Sequence, residues 1–207
     1  ISRFTQTPDG AVWAATQSTG LLRIEPSTGK VSARSHNLDQ ANSIVSNWLY
    51  VIVTDKDGSI WISSADSGIS RYDPVEDFAT NFTHKETDFN SLSSNQTSDI
   101  FEDSDGNIWI ATDQGLNLFA PETDTFIRYT TLNTDLPEEQ VISIYQTREG
   151  KYWLGAMSGL ASGMRTAFHK YNRSRGNLSN DSVNAFTESI DGSLWVGTDN
   201  GLNRLRP

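Results

Sequence analysis

Few side chains in this sequence are of a type and spacing that could do metal or covalent chemistry. Asp55-Lys56-Asp57-Gly58 and Asp103-Ser104-Asp105-Gly106 alternate carboxylates ahead of a glycine, as an EF-hand calcium loop does near its start. With Gly106 at the sixth position, such a loop would begin at Phe101 and end at Thr112; with Gly58 there it would run from Val53 to Ser64. Neither has the first carboxylate or the closing bidentate glutamate, so both read as turns. His36, His84 and His169 stand singly, without a partner set at metal-ligand spacing. There is no cysteine to act as nucleophile or thiolate ligand, no Gly-x-Ser-x-Gly elbow and no glycine-rich phosphate loop. The expectation is a chain with no catalytic residue, no metal and no cofactor, whose chemistry is non-covalent binding.

The elements that would position binding residues show in a phrase that recurs five times. Gly10, Gly58, Gly106, Gly150 and Gly192 are each followed three residues later by Trp13, Trp61, Trp109, Trp153 and Trp195. Each tryptophan is followed six or seven residues later by Gly20, Gly68, Gly115, Gly159 or Gly201 and then Leu or Ile. The tryptophans thus recur with a period of roughly 45 residues, which belongs to radial or solenoidal repeat folds. Within one repeat, Ile108-Trp109-Ile110 and Leu116-Asn117-Leu118-Phe119 alternate between Gly, Asp and Asn, which predicts short antiparallel strands. Asp-Gly predicts a hairpin turn with positive backbone angles, and the tryptophan beyond it should face a neighbouring sheet.

Four short strands in every such period predict an all-β β-propeller of four-stranded antiparallel blades. The blades fall at about 1–35, 47–83, 96–130, 141–171 and 182–207, the last lacking its outer strand. About 4.75 blades suggest an arc of a larger ring and a fragment of a longer protein; a parallel β-helix is the competing architecture. With 16 basic and 26 acidic residues among 207, the formal charge of −10 disfavours nucleic acid and anionic lipid as partners. The longest apolar run, Trp48 to Val53, is far short of the roughly 20 residues that span a bilayer.

The stretches from Phe101 to Asn117 and from Ser193 to Arg204 resemble the two-component regulator propeller repeat, and the resemblance covers essentially the whole chain. Repeats two and four depart from the pattern, with Ser63-Ser64 for the usual Gly-Thr and Met157-Ser158 in the second turn. The resemblance implies a seven-bladed sensor ring on the periplasmic side of a bacterial inner-membrane receptor. It implies a downstream β-sandwich, a membrane helix and a histidine kinase or diguanylate cyclase output, and a ligand that in several relatives is an oligosaccharide. The streptogramin lyases, with a similar repeat, need a catalytic histidine and a metal near the axis that this sequence does not evidently supply. Asn81, Asn95, Asn172, Asn177 and Asn180 begin glycosylation sequons, which carry no weight in a bacterial setting.

Binding is then expected on one mouth, formed by the outer-to-inner loops and the turns between second and third strands. Asn47, Trp48, Asp66, Gln96, Asp113, Gln114 and Asp199 are the candidate ligand contacts, with Trp48 as an aromatic platform for a small molecule or the face of a sugar. A protein-interaction scaffold or homodimer is the alternative.

Overall fold

A computed structural model describes every residue except 135, 137, 165–166, 176–177 and 207. Asn177, one of the sequon residues, and the last residue of the fifth repeat therefore lie outside the described residues. The first sheet contains β1 (Arg3–Gln6), β2 (Val12–Ala15), β3 (Leu21–Ile24) and β4 (Val31–Arg34). The second contains β5 (Leu49–Thr54), β6 (Ile60–Ser64), β7 (Ile69–Asp73) and β8 (Phe78–Phe82). The third contains β9 (Thr97–Glu102), β10 (Ile108–Thr112), β11 (Gly115–Ala120) and β12 (Thr125–Tyr129). The fourth contains β13 (Val141–Gln146), β14 (Tyr152–Ala156), β15 (Gly159–Met164) and β16 (Ala167–Tyr171), and the fifth β17 (Val183–Glu188), β18 (Leu194–Thr198) and β19 (Gly201–Leu205). Strands pair antiparallel in chain order within each sheet. The first strand of each sheet contacts the first strand of the next, so β1, β5, β9, β13 and β17 are the innermost strands.

The tryptophans join the blades. Trp13, Trp61 and Trp109 are fully buried, and Trp13 and Trp109 meet Tyr72 and Tyr152 of the following blade edge-on, with ring centroids 5.5 and 5.4 Å apart. At such interfaces β-branched and aromatic side chains from two sheets interdigitate; one core contains Trp13 and Leu21 with Ile52, Ile60 and Tyr72. The first and last blades each have one uncovered face. Leu202, whose counterpart Leu21 is completely buried, is 66% exposed, and Phe4, counterpart of buried Ile52, is 59% exposed.

The Asp-Gly turn differs from expectation. Only the glycine takes a positive φ, +82° at Gly106, while its preceding aspartate does not. Gly106 N donates to Asp103 O and Asp103 N to Asn107 O, which makes a wider hairpin than a two-residue turn. The residue three before the glycine organises it. Asp103 accepts from the backbone N–H groups of Asp105 and Asn107, and also from Trp109 Nε1 at 2.9 Å and Tyr152 Oη at 2.6 Å. The carboxylates misread most readily as calcium ligands are thus turn caps that also orient the tryptophans. In the fourth blade Thr147 holds this position, and Trp153 Nε1 is buried without a hydrogen-bond partner among the described residues. Thr147→Asp should supply the missing acceptor and stabilise the chain by about 1 kcal/mol; an unchanged or lower denaturation midpoint would refute this.

Candidate functional site

The mouth is built from backbone outward. In the second, third and fifth blades the turn after the second strand donates a backbone N–H to the residue that leads into the first strand: Ala65 to Trp48, Asp113 to Gln96 and Asp199 to Ser182. This places Asp66 beside the Trp48 segment, and brings Gln96 together with Asp113 and Gln114. Asp199 stands with Asn184, whose Nδ2 reaches its Oδ1 at 2.7 Å. That bond, followed by one from Ser182, holds the Asp199 carboxyl below the usual carboxylate range. Asp66, Gln96, Gln114 and Asp199 are exposed, and Asp113 is partly buried, its Oδ1 lacking a hydrogen-bond partner among the described residues.

Trp48 is 49% exposed and Tyr50 43% exposed, with ring centroids 6.3 Å apart and planes tilted by 33°. Unlike the interface tryptophans, which sit on second strands between blades, the pair lies at the head of an innermost strand, where the register shift between Leu49 and Ile52 has counterparts in three other blades. Tyr50 was not among the sequence candidates; its place two residues from Trp48, on the same side of an extended strand, was the available signal.

Asn47 has a different role from its fellow candidates. Its Oδ1 accepts from His36 N at 2.7 Å and its carbonyl from Gly20 N, so it closes the loop between β4 and β5. Asn95 does the same for His84 and Gly68 one period later. His36 and His84 each place Nδ1 2.7 Å from a loop carbonyl, of Ile44 and Leu92, whose side chains are buried anchors. Arg128 adds four hydrogen bonds to the second of these loops, onto Ser91 O, Asp88 O, Ser91 Oγ and Leu92 O. Repetition of His, Asn-Ser-Ile/Leu and Asn in successive repeats was visible in the sequence as a signal for this scaffold. Arg128→Ala should loosen residues 84–95 and cost about 1–3 kcal/mol; amide exchange no faster in that loop than in the parent chain would contradict the assignment.

Asp99 on β9 joins three blades. Its Oδ1 accepts from Arg3 Nη1 at 3.0 Å and its Oδ2 from Ile144 N at 3.0 Å. Burial pushes its carboxyl above the ordinary value, against the lowering effect of those two donors. Among the described residues no group of three or more His, Cys, Asp or Glu side chains could hold a metal ion. His169 is exposed on the outer strand β16, away from the mouth.

Antiparallel blades packed through their tryptophans around a row of inner strands define a β-propeller arc with a loop-built mouth. The model of the two component regulator propeller matches residues 91–114 and 177–200. No curated protein matches the sequence. Among solved structures, the extracellular domain of a putative hybrid two component system from B. thetaiotaomicron is similar, with TM-score 0.78 and 23% identity over 99% of this chain and 26% of that one. The extracellular domain of a putative one component system from the same organism matches with TM-score 0.78 and 23% identity, covering 99% of this chain and 29% of that one. Virginiamycin B lyase from Staphylococcus aureus matches with TM-score 0.70 and 16% identity, covering 99% of this chain and 69% of its own. The chain thus spans between a quarter and a third of the two extracellular domains.

Proposed function

We propose that this chain is part of a non-catalytic, extracytoplasmic sensor of a bacterial signalling receptor, and that its mouth binds a small molecule or oligosaccharide. The single observation that carries the reading is the half-exposed Trp48–Tyr50 pair at the head of inner strand β5, beside polar turns tied to the inner strands by backbone hydrogen bonds. Exposed rings of this kind offer a flat apolar face to a ligand, and preorganised loops reduce the entropy lost on binding. The likeness to extracellular domains of two component systems supports a periplasmic place, with β-sandwich, membrane and kinase or cyclase segments in the same polypeptide. The uncovered faces bearing Phe4 and Leu202 support an arc that further blades complete, and the resemblance to the propeller repeat implies seven in the full ring. A lyase activity is disfavoured because His36 and His84 are engaged in loop closure and His169 lies on an outer strand.

The test is a thermal-shift screen of oligosaccharides and small metabolites, with Trp48→Ala as the control. One chemical class should raise the melting temperature of the parent chain, by preferential binding to the folded state, and leave the variant unmoved. A flat screen on folded protein would instead favour a protein-interaction or homodimerisation surface. That reading has its own support in Leu38, Phe89 and Leu132, nearly fully exposed in the loops of the same mouth.

A further inference from the structure

The five innermost strands read Arg-Phe-Thr-Gln, Leu-Tyr-Val-Ile-Val-Thr, Thr-Ser-Asp-Ile-Phe-Glu, Val-Ile-Ser-Ile-Tyr-Gln and Val-Asn-Ala-Phe-Thr-Glu, and Arg3 is their sole cation. Val51, Asp99, Ser143 and Ala185 occupy the equivalent place in the other blades, two residues before the partner of each second-strand tryptophan. The Arg3 side chain reaches from β1 to Asp99 on β9 and so passes β5, the strand that carries Tyr50. The neighbouring Ser2 Oγ donates to Leu49 O at 3.0 Å, which sets the start of β1 against the Trp48–Tyr50 stretch.

Only Nη1 of the guanidinium contacts Asp99, and the Arg3 side chain remains 52% exposed while that of Asp99 is 10% exposed. Asp99 is anchored from the other side by Ile144 N, so it holds the guanidinium without surrounding it. A planar fork of five donors held at one nitrogen keeps an open edge suited to a carboxylate. We propose that Arg3 is the anion-recognising residue of the mouth, and that the ligand class is a ring bearing a carboxylate, its flat face on Trp48 and Tyr50. This rests on the sensor reading and deepens it by assigning a charge to the ligand. The net charge of −10 repels anions at long range, but screening over about 8 Å at physiological ionic strength leaves close, charge-assisted hydrogen bonds to decide selectivity.

The experiment compares methyl β-D-glucuronide with methyl β-D-glucoside, which differ in the carboxylate, by titration of the 207-residue chain. The tryptophan indole N–H signals are followed by NMR. The glucuronide should bind about tenfold more tightly, as expected for charge-assisted hydrogen bonds, and should shift the Trp48 signal. Arg3→Gln should remove that preference while leaving the other five indole signals in place, which shows that the variant is folded. Equal binding of the two glycosides, or a preference that survives in Arg3→Gln, would overturn the assignment and leave the sensor reading standing. If neither glycoside moves the Trp48 signal, both the charge assignment and a glycan-binding mouth are refuted.

Discussion

Asp103→Ala is expected to lower stability by about 3–5 kcal/mol, because it removes the acceptor that two buried donors share, and each such loss costs about 1–3 kcal/mol. Trp109 Nε1 and Tyr152 Oη both end on Asp103 Oδ2, and Tyr152 belongs to the next blade, so the loss is felt at an interface as well as in a turn. For a chain of this size the melting temperature should fall by roughly 10 °C. The effect has a pH signature. Burial alone would raise the Asp103 carboxyl, but the donors from Tyr152, Trp109 and Asn107 outweigh it and hold the group at about 2. A carboxyl lowered on folding stabilises the native state above its unfolded value, and that stability disappears as pH falls through the folded value. After allowance for solvent screening, the parent chain should therefore lose about 1–2 kcal/mol from this residue on acidification from pH 5 towards pH 2. In Asp103→Ala that part of the acid dependence should be missing. Superimposable acid-unfolding curves for the two proteins would show that the carboxylate does not carry the interface.

Gly68→Ala against Gly201→Ala is the second large contrast. Both glycines have positive φ, +86° and +120°, and both begin the turn into a third strand. A Cβ on Gly68 would lie 2.3 Å from Phe82 O, at the end of the outer strand β8. The same contact recurs at Gly20, Gly115 and Gly159, against the carbonyls of Arg34, Tyr129 and Tyr171. In the fifth blade, where the sheet stops at its third strand, a Cβ on Gly201 would meet nothing closer than Ser179 Oγ at 3.5 Å. Gly68→Ala should therefore cost about 3 kcal/mol or more, combining backbone strain with a clash that a rigid strand cannot relieve. Gly201→Ala should cost less, about 1–2 kcal/mol, from backbone strain alone. Urea denaturation of both variants measures this directly, and similar midpoints would show that the outer strand does not impose the glycine.

The propeller was legible because its signals are local and repeated. Alternation in Ile108-Trp109-Ile110, the glycine that alone tolerates positive φ at each turn, and one interface tryptophan in every repeat follow from the chemistry of one short segment. The turn was less fully legible: the position three before glycine also varies between Asp, Thr and Ser, and its hydrogen bond to the tryptophan forms only once the hairpin closes. The seven candidate contacts divided for a similar reason. Asn47 and Trp48 are adjacent in sequence, yet one turns inward to cap a loop and the other is left half-exposed at the head of an inner strand.

What the sequence by itself determined was the period, the strand and turn alternation, and the absence of cysteine chemistry. These depend on residue type and on separations of a few positions. The tertiary structure alone decided that Arg3 on β1 meets Asp99 on β9, that Tyr152 shares the carboxylate serving Trp109, and that Leu202 is uncovered where Leu21 is not. Such contacts depend on how whole blades stack around an axis, and no separation along the chain encodes the distance between two inner strands.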